Sequence, residues 1–293
     1  MIYAILAAVF YAINTPISKL LLREVPATFM ASFLYLGAGI GVGVMYLFRY
    51  PKEPKSERLV RKDVPYALGM IVLDIAAPIF MMLGIQLGTA SNASLLGNFE
   101  IVATTLIALL CFQEAVSRRL WTAVGLITVS SIILSLEGEG NFRFSIGSLF
   151  VLLATVCWGL ENNCTRKISD KSTYEIVVLK GIFSGLGSFL IALAAGETLP
   201  PVLFLLGAMV LGFVAYGLSI FTYIRAQRYL GAAKTSAFYA IAPFIGAFLA
   251  FAVVGDRLSI NYLIALFIML AGTAFVVWDT MAAYHREIQS SAE

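Results

Sequence analysis

The sequence holds one histidine, three cysteines and few charges, and each shortage removes a class of function. His285 lies in the C-terminal tail, so no H-E-x-x-H pair and no Cys/His metal spacing can be built. Cys111, Cys157 and Cys164 form an odd set inside apolar runs. That placement argues for small apolar packers and against a disulfide framework. Charged residues make up 13% of the chain, about half the share usual in soluble domains. No Walker A sequence occurs. The glycine run GAGIGVG at 37–43 fails the G-x-G-x-x-G spacing and follows no strand, which rejects a nucleotide reading. The longest polar connection, 49–64, is too short and too charged to fold alone. No cofactor and no nucleic-acid partner are expected.

What is present is apolar sequence: 60% of the 293 residues are hydrophobic, with a mean hydropathy of +0.90. Mostly apolar runs fall near 2–22, 28–48, 65–87, 91–113, 119–136, 145–165, 174–195, 202–224, 232–254 and 260–279. Each is about long enough for a helix to cross a bilayer. The expected fold is an all-α membrane protein of ten spans. The first span has no basic segment before it and no A-x-A-like site after it, so it reads as a retained helix.

Charge placement orients these spans. Fifteen of the twenty Lys and Arg residues fall in the even-numbered connections and the C-terminal tail. The odd-numbered connections hold Arg23, Arg143 and Arg257. The positive-inside rule then puts both termini in the cytoplasm. The basic cluster at 49–62 reads as a topology determinant. The expected location is the plasma membrane, which is the inner membrane in a bacterium.

The ten spans divide into two groups of five, at 1–140 and 141–293. Segment 6–19 aligns with 153–166 at an offset of 147: Leu6, Ala7 and Val9 match Leu153, Ala154 and Val156, and Lys19 meets Arg166. At an offset of 142, Ser94 meets Ser236, Glu114 meets Asp256 and Ser117 meets Ser259. The second and seventh spans carry the G-x-x-x-G pairs Gly37/Gly41 and Gly181/Gly185. Repeats with an odd number of spans must sit upside down relative to each other. Inverted repeats of this kind mark transporters that bind their substrate near the midplane.

Helix punctuation fits the spans. Ser172-Thr173-Tyr174-Glu175 has capping-box spacing, and Ser145 and Ser259 stand at N-cap positions. Pro16, Pro78 and Pro243 fall within spans, where each can kink its helix.

Two stretches carry a resemblance. The first span is small and aromatic and ends on a basic residue. The fourth reads LLGNFEIVATTLIALLCFQE (95–114), and its second copy reads AFYAIAPFIGAFLAFAVVGD (237–256). Together they resemble the drug/metabolite transporter superfamily, EamA type, over nearly the whole chain. Ile101 replaces, in the first copy, the proline present as Pro243 in the second. The resemblance implies ten helices in two inverted five-helix repeats. It also implies a cavity lined by the first, third, fourth, sixth, eighth and ninth helices, and export of a metabolite or drug.

An ionisable side chain within a span costs about 2.5–3.5 kcal/mol on insertion scales, so it must pair, face water or act. Asp74 and Glu100 lie near the centres of the third and fourth spans, Glu161 in the inner third of the sixth, and Lys180 in the seventh. Glu100 and Asp74 read as substrate or proton sites, or as structural ties to neighbouring helices. Glu161, beside Asn162, Asn163 and Thr165, reads as a site residue or as part of a wet vestibule. Lys180 would hold a substrate carboxylate, pair with an acid, or snorkel inward. Tyr11, Asn14 and Ser18 share a helix face, as do Tyr216, Ser219 and Tyr223, and Ser236, Tyr239 and Pro243. Trp158 is the counterpart of Tyr11 in the second repeat. Such faces suit an amphipathic organic solute, with ordinary packing as the alternative.

The expected function is secondary active transport by alternating access, with protons as a candidate coupling ion and a monomer or homodimer as the working unit. The rival reading is an intramembrane enzyme using Asp74, Glu100 and Lys180 on a lipid-soluble substrate.

Overall fold

A computed structural model of the protein describes residues 2–49, 54–112, 116–137, 143–168, 170–230, 235 and 238–292. The long elements are all helical. The one extended pairing among the described residues is a two-residue ladder, Leu136 with Phe144 and Glu137 with Arg143. Glu114 and Ser236, two members of the repeat alignment, lie outside the described residues.

The apolar runs fold into helices whose breaks follow local chemistry. Helices α1 (Ile2–Ala12) and α2 (Asn14–Leu21) form one run interrupted at Ile13. Pro16 has no N–H to offer the Ala12 carbonyl four residues earlier. Helix α3 covers Ala27–Arg49, and α4 covers Val64–Leu87 and runs on through Pro78. The fourth apolar run splits into α5 (Ala90–Leu96) and α6 (Phe99–Phe112) around Gly97 and Asn98, although the first copy has no proline there. Helices α7 (Arg118–Ser135) and α8 (Ile146–Arg166) follow, each opened by a serine cap. The Ser117 hydroxyl accepts from Leu120 N and that of Ser145 from Ser148 N.

The rest of the chain has π-helical turns. One at Lys180–Ser184 joins α9 (Thr173–Leu179) to α10 (Gly185–Ala194). A second at Phe213–Leu218 joins α11 (Val202–Gly212) to α12 (Ser219–Leu230). A third at Ala250–Val254 ends α13 (Ala242–Leu249), where Pro243 sits in the first turn. The chain closes with α14 (Ile260–Ala292).

Six runs are long and apolar enough to cross a membrane: Ile2–Leu21, Ala27–Phe48, Arg61–Leu87, Thr173–Ala194, Val202–Tyr223 and Ile260–Ala283. The other four runs read from the sequence fall short for visible reasons. The fourth is broken at Gly97, the fifth opens on Arg118 and Arg119, the sixth carries Glu161 and its polar neighbours, and part of the ninth lies outside the described residues.

Helix contacts cross between the first and second parts of the chain. Helix α4 lies along α8, α7 along α14, and α1 against α12. Helix α3 packs on α10 and α11 and on the π turns beside them. Glycine permits this approach. A Cβ on Gly37 would overlap the Met209 backbone, and one on Gly212 would overlap the Leu34 backbone. In lipid, where apolar burial drives helix association weakly, such close packing is a main source of adhesion.

Carboxylates clamp the parts together at helix ends. Glu197 accepts from Thr28 N and Phe29 N at 3.2 and 3.0 Å, at the start of α3. Asp256 accepts from Ser91 N at 2.8 Å, at the start of α5. The capping box is half made. Ser172 accepts from Glu175 N, but the Glu175 carboxylate turns away to Tyr46 Oη and Leu59 N, each at 2.8 Å. Partners on a neighbouring element outcompete its own backbone.

Lys19, at the end of the first run, reaches across to another helix. Its Nζ donates to the carbonyls of Ile85, Gln86 and Gly88 at 2.7, 3.1 and 2.6 Å. It thus closes the C-terminal end of α4, where the helix dipole favours a cation. Lys19→Met is expected to cost about 1–3 kcal/mol, the scale of losing hydrogen bonds from a charged donor. Thermal unfolding of the purified protein in detergent checks this. An unchanged midpoint would show that Lys19 does not hold this helix end.

Candidate functional site

Four helical segments bring Asp74, Glu100, Glu161 and Lys180 into one interior region of the protein. Lys180 stands at the first position of its π turn. Its Nζ lies 3.0 Å from Glu161 Oε1 on α8 and 3.1 Å from Asp74 Oδ2 on α4. The Asp74 contact is an ion pair by distance, without hydrogen-bond alignment. Asp74 is 0% exposed and Glu161 2% exposed. Tyr35 Oη donates to the other Asp74 oxygen at 3.0 Å, and Thr165 donates to Glu161 Oε1.

This arrangement answers what the sequence left open for Lys180: it pairs with both acids at once. The π turn supplies the geometry, since such a turn inserts a residue and re-aims its side chains. Two carboxylates sharing one ammonium leave the group with an excess of negative charge when all three are ionised.

Glu100 stands apart from this triad. Its Oε1 accepts from Asn162 Nδ2 on α8 at 2.6 Å. It lies within electrostatic reach of Glu161 and Lys180 but is not paired with either. Asn162 follows Glu161 directly, so one turn of α8 serves both acids.

The aromatic candidates form a chain of ring contacts. Tyr223 and Tyr239 lie 5.0 Å apart between centroids, Tyr239 and Tyr11 5.8 Å, and Tyr11 and Tyr216 6.1 Å. Tyr216 in turn meets Tyr35 at 5.2 Å, which joins the aromatic chain to the Asp74 triad. Asn14 donates to Tyr216 Oη at 3.2 Å and accepts from Ser18 at 3.1 Å. Ser219 donates to the Ala7 carbonyl at 2.9 Å, tying α12 to α1. Trp158 is buried on α8, three residues before Glu161.

Asp74, Glu100, Glu161, Lys180, Asn14, Tyr11, Tyr216, Tyr223, Tyr239 and Trp158 are therefore placed, and most of them touch; Ser236 lies outside the described residues. Asn14 and Glu161, equivalent in the repeat alignment, have different partners. Asn14 bonds a tyrosine while Glu161 pairs with a lysine. The sequence reading missed Tyr35. A tyrosine in an otherwise apolar run, two residues before Gly37, was the signal available, and it is a weak one. Among the described residues no group of three His, Cys, Asp or Glu side chains is placed to hold a metal ion.

Beside the aromatic chain lies a small cavity of about 10 Å³ lined by Tyr11, Asn14, Ser94, Gly97, Pro243 and Gly246 among others. It collects the breaks of three helical runs: Ile13, Gly97 and the start of α13. Such a space holds about one water. This face of the site is closed to any organic solute.

Comparison with known proteins gives the site a context. The sequence model of the EamA-like transporter family matches residues 1–136 and 145–278. A protein of Methanothermobacter thermautotrophicus named as an uncharacterized transporter is 25% identical over 298 residues, covering 94% of this chain and 85% of its own. One of Clostridium kluyveri, named in the same way, is 24% identical over 296 residues, covering 93% and 91%. A solved crystal structure superposes on 95% of this chain and 96% of its own with a TM-score of 0.68 at 16% identity.

Proposed function

The chain belongs to the EamA-like transporter family, and we propose that it is a secondary active transporter exporting a small organic metabolite or drug by alternating access. The carrying observation is the convergence of Asp74, Glu100, Glu161 and Lys180 with Tyr11, Tyr216 and Tyr239 on one interior region. These residues come from both parts of the chain. A site built where repeats meet is the arrangement that alternating access requires.

In this reading the chain crosses the membrane ten times as two inverted repeats, 1–140 and 141–293, with both termini in the cytoplasm. The membrane is the plasma membrane, the inner one in a bacterium. The four runs that fall short by length or polarity complete the count, because polar side chains in a span are tolerated where they face a shared interior. The bodies that rock are each assembled from both repeats, since α4 lies along α8 and α3 along α10 and α11. Sequence halves that interdigitate this way cannot separate as units.

The drive is a gradient of solute or protons. Glu100 and Asp74 are the proton candidates, since removal from water favours the neutral form of a carboxyl and contact with water favours the charged one. The rival enzyme reading needs Asp74, Glu100 and Lys180 around a groove open to lipid. Asp74 is instead fully buried and held by Tyr35, which favours transport.

Glu100→Gln keeps the volume and removes the charge. In proteoliposomes it is expected to lower gradient-driven solute flux by at least about tenfold, roughly 1.4 kcal/mol of lost interaction. Full flux by this variant would remove Glu100 from the mechanism.

A further inference from the structure

We infer that the solute carries a positively charged nitrogen, an amine or quaternary ammonium, held between the Glu100 carboxylate and the rings of Tyr11 and Tyr239. This rests on the transport reading above and names the class of solute it moves.

The first ground is charge matching. Asp74 and Glu161 share Lys180, the one ammonium that touches any of the interior acids among the described residues. Glu100 has a neutral partner, the Asn162 amide at 2.6 Å, and its Oε2 takes no protein hydrogen bond among the described residues. That oxygen is not sealed off, for Glu100 is half-buried. A carboxylate drawn into a protein interior needs a matching cation to offset its lost hydration. A cationic solute supplies one. An anionic solute would add to the excess and would have to displace Asp74 or Glu161 from Lys180.

The second ground is the aromatic wall. Gly97, whose carbonyl accepts from Glu100 N at 3.1 Å, lines the small cavity together with Tyr11. Tyr11 and Tyr239 are half-buried and lie 5.8 Å apart between centroids. Ring faces attract cations, most strongly where water is excluded. A carboxylate and two adjoining tyrosine rings gathered in one interior region suit a nitrogen cation with an apolar body.

The third ground is independent of both. Ser94 is 5% exposed, and its Oγ has no hydrogen-bond partner while lining the small cavity beside Tyr11. The Ala12 carbonyl faces the same place. A Cβ built on Gly246 would meet Ser94 Oγ at 2.8 Å and Ala12 O at 3.1 Å. Pro16 denies that carbonyl its helical donor. Both oxygens accept from an N–H group or from the water that hydrates one.

The test uses purified full-length protein and two sets of charge isosteres. One set is choline, 3,3-dimethylbutanol and 3,3-dimethylbutanoate. The other is phenethylamine, 3-phenylpropanol and 3-phenylpropanoate. Binding is read as a shift of the thermal unfolding midpoint, and any binder is then followed as flux in proteoliposomes. The cations are expected to bind at least about tenfold more tightly than their neutral and acidic isosteres. Glu100→Gln should abolish that preference while unfolding near the wild-type midpoint. Tyr239→Phe should keep cation binding and Tyr239→Leu should weaken it about threefold or more, since the ring and not the hydroxyl carries the attraction. Equal binding of neutral or acidic isosteres overturns the inference, as does an unchanged preference in Glu100→Gln. A wild-type protein that carries acids or neutral solutes and no cation leaves transport standing and sinks the solute class. A protein that binds and carries none of the three classes sinks both.

Discussion

Lys180→Met should be the most damaging single change in the interior of this protein. Lys180 lies within 3.0–3.1 Å of two carboxylates, Glu161 and Asp74, and its side chain is 14% exposed. Removing it leaves both acids with only neutral partners: Thr165 beside Glu161 and Tyr35 beside Asp74. Removing one partner of a buried ion pair costs about 3–5 kcal/mol, because the remaining charge is desolvated and unmatched. The expected result is a large fall in the unfolding midpoint in detergent, or loss of monodisperse protein. Replacing all three together, with Asp74→Asn and Glu161→Gln added to Lys180→Met, should recover much of that stability. It should not recover transport. A stable single variant would mean that the triad does not form in the folded protein.

The second large effect concerns backbone contact. Gly37→Val and Gly212→Val each place side-chain atoms where a neighbouring backbone already sits, at Met209 and Leu34 respectively. Backbone cannot swing aside as a side chain can, so α3 and α11 must separate. Overpacking of this kind costs typically about 1–3 kcal/mol and more when helices must part. The expected outcome is loss of folded protein on size-exclusion chromatography in detergent. Gly125→Ala is the control. Gly125 lies within α7 with nothing within 4 Å of a Cβ, so alanine should be neutral or stabilising by up to about 1 kcal/mol. If the two valine variants behave like Gly125→Ala, the close packing of α3 on α11 is not present in the protein.

Much of the site is legible in the sequence because charge is conspicuous in an apolar run. Asp74, Glu100, Glu161 and Lys180 stand out against their neighbours by insertion cost alone. Helical spacing also groups Tyr216 with Ser219 and Tyr223, and Tyr11 with Asn14. Tyr35 is not legible, because its hydroxyl acquires meaning only from Asp74, 39 residues away. Asn162 is visible as a polar neighbour of Glu161, but its bond to Glu100 spans 62 residues. The capping-box spacing at Ser172 is a sound local rule, and the Glu175 side chain was recruited elsewhere by Tyr46 and Leu59. Lys19 shows the same effect: nothing in its own segment announces that it caps another helix.

Composition and spacing alone settle that this chain is helical and apolar, where many of its helices start and stop, and which residues are too polar to be there idly. These depend on properties that act within a few residues: hydrophobicity, capping, the missing proline N–H. Pairing is different. That Lys180 joins Asp74 to Glu161, that Glu100 is left to an amide, and that Gly37 and Gly212 lie against foreign backbone are consequences of helix packing. A helix fixes the face on which a side chain stands, but the partner on that face comes from whichever distant segment the packed bundle brings within about 3 Å.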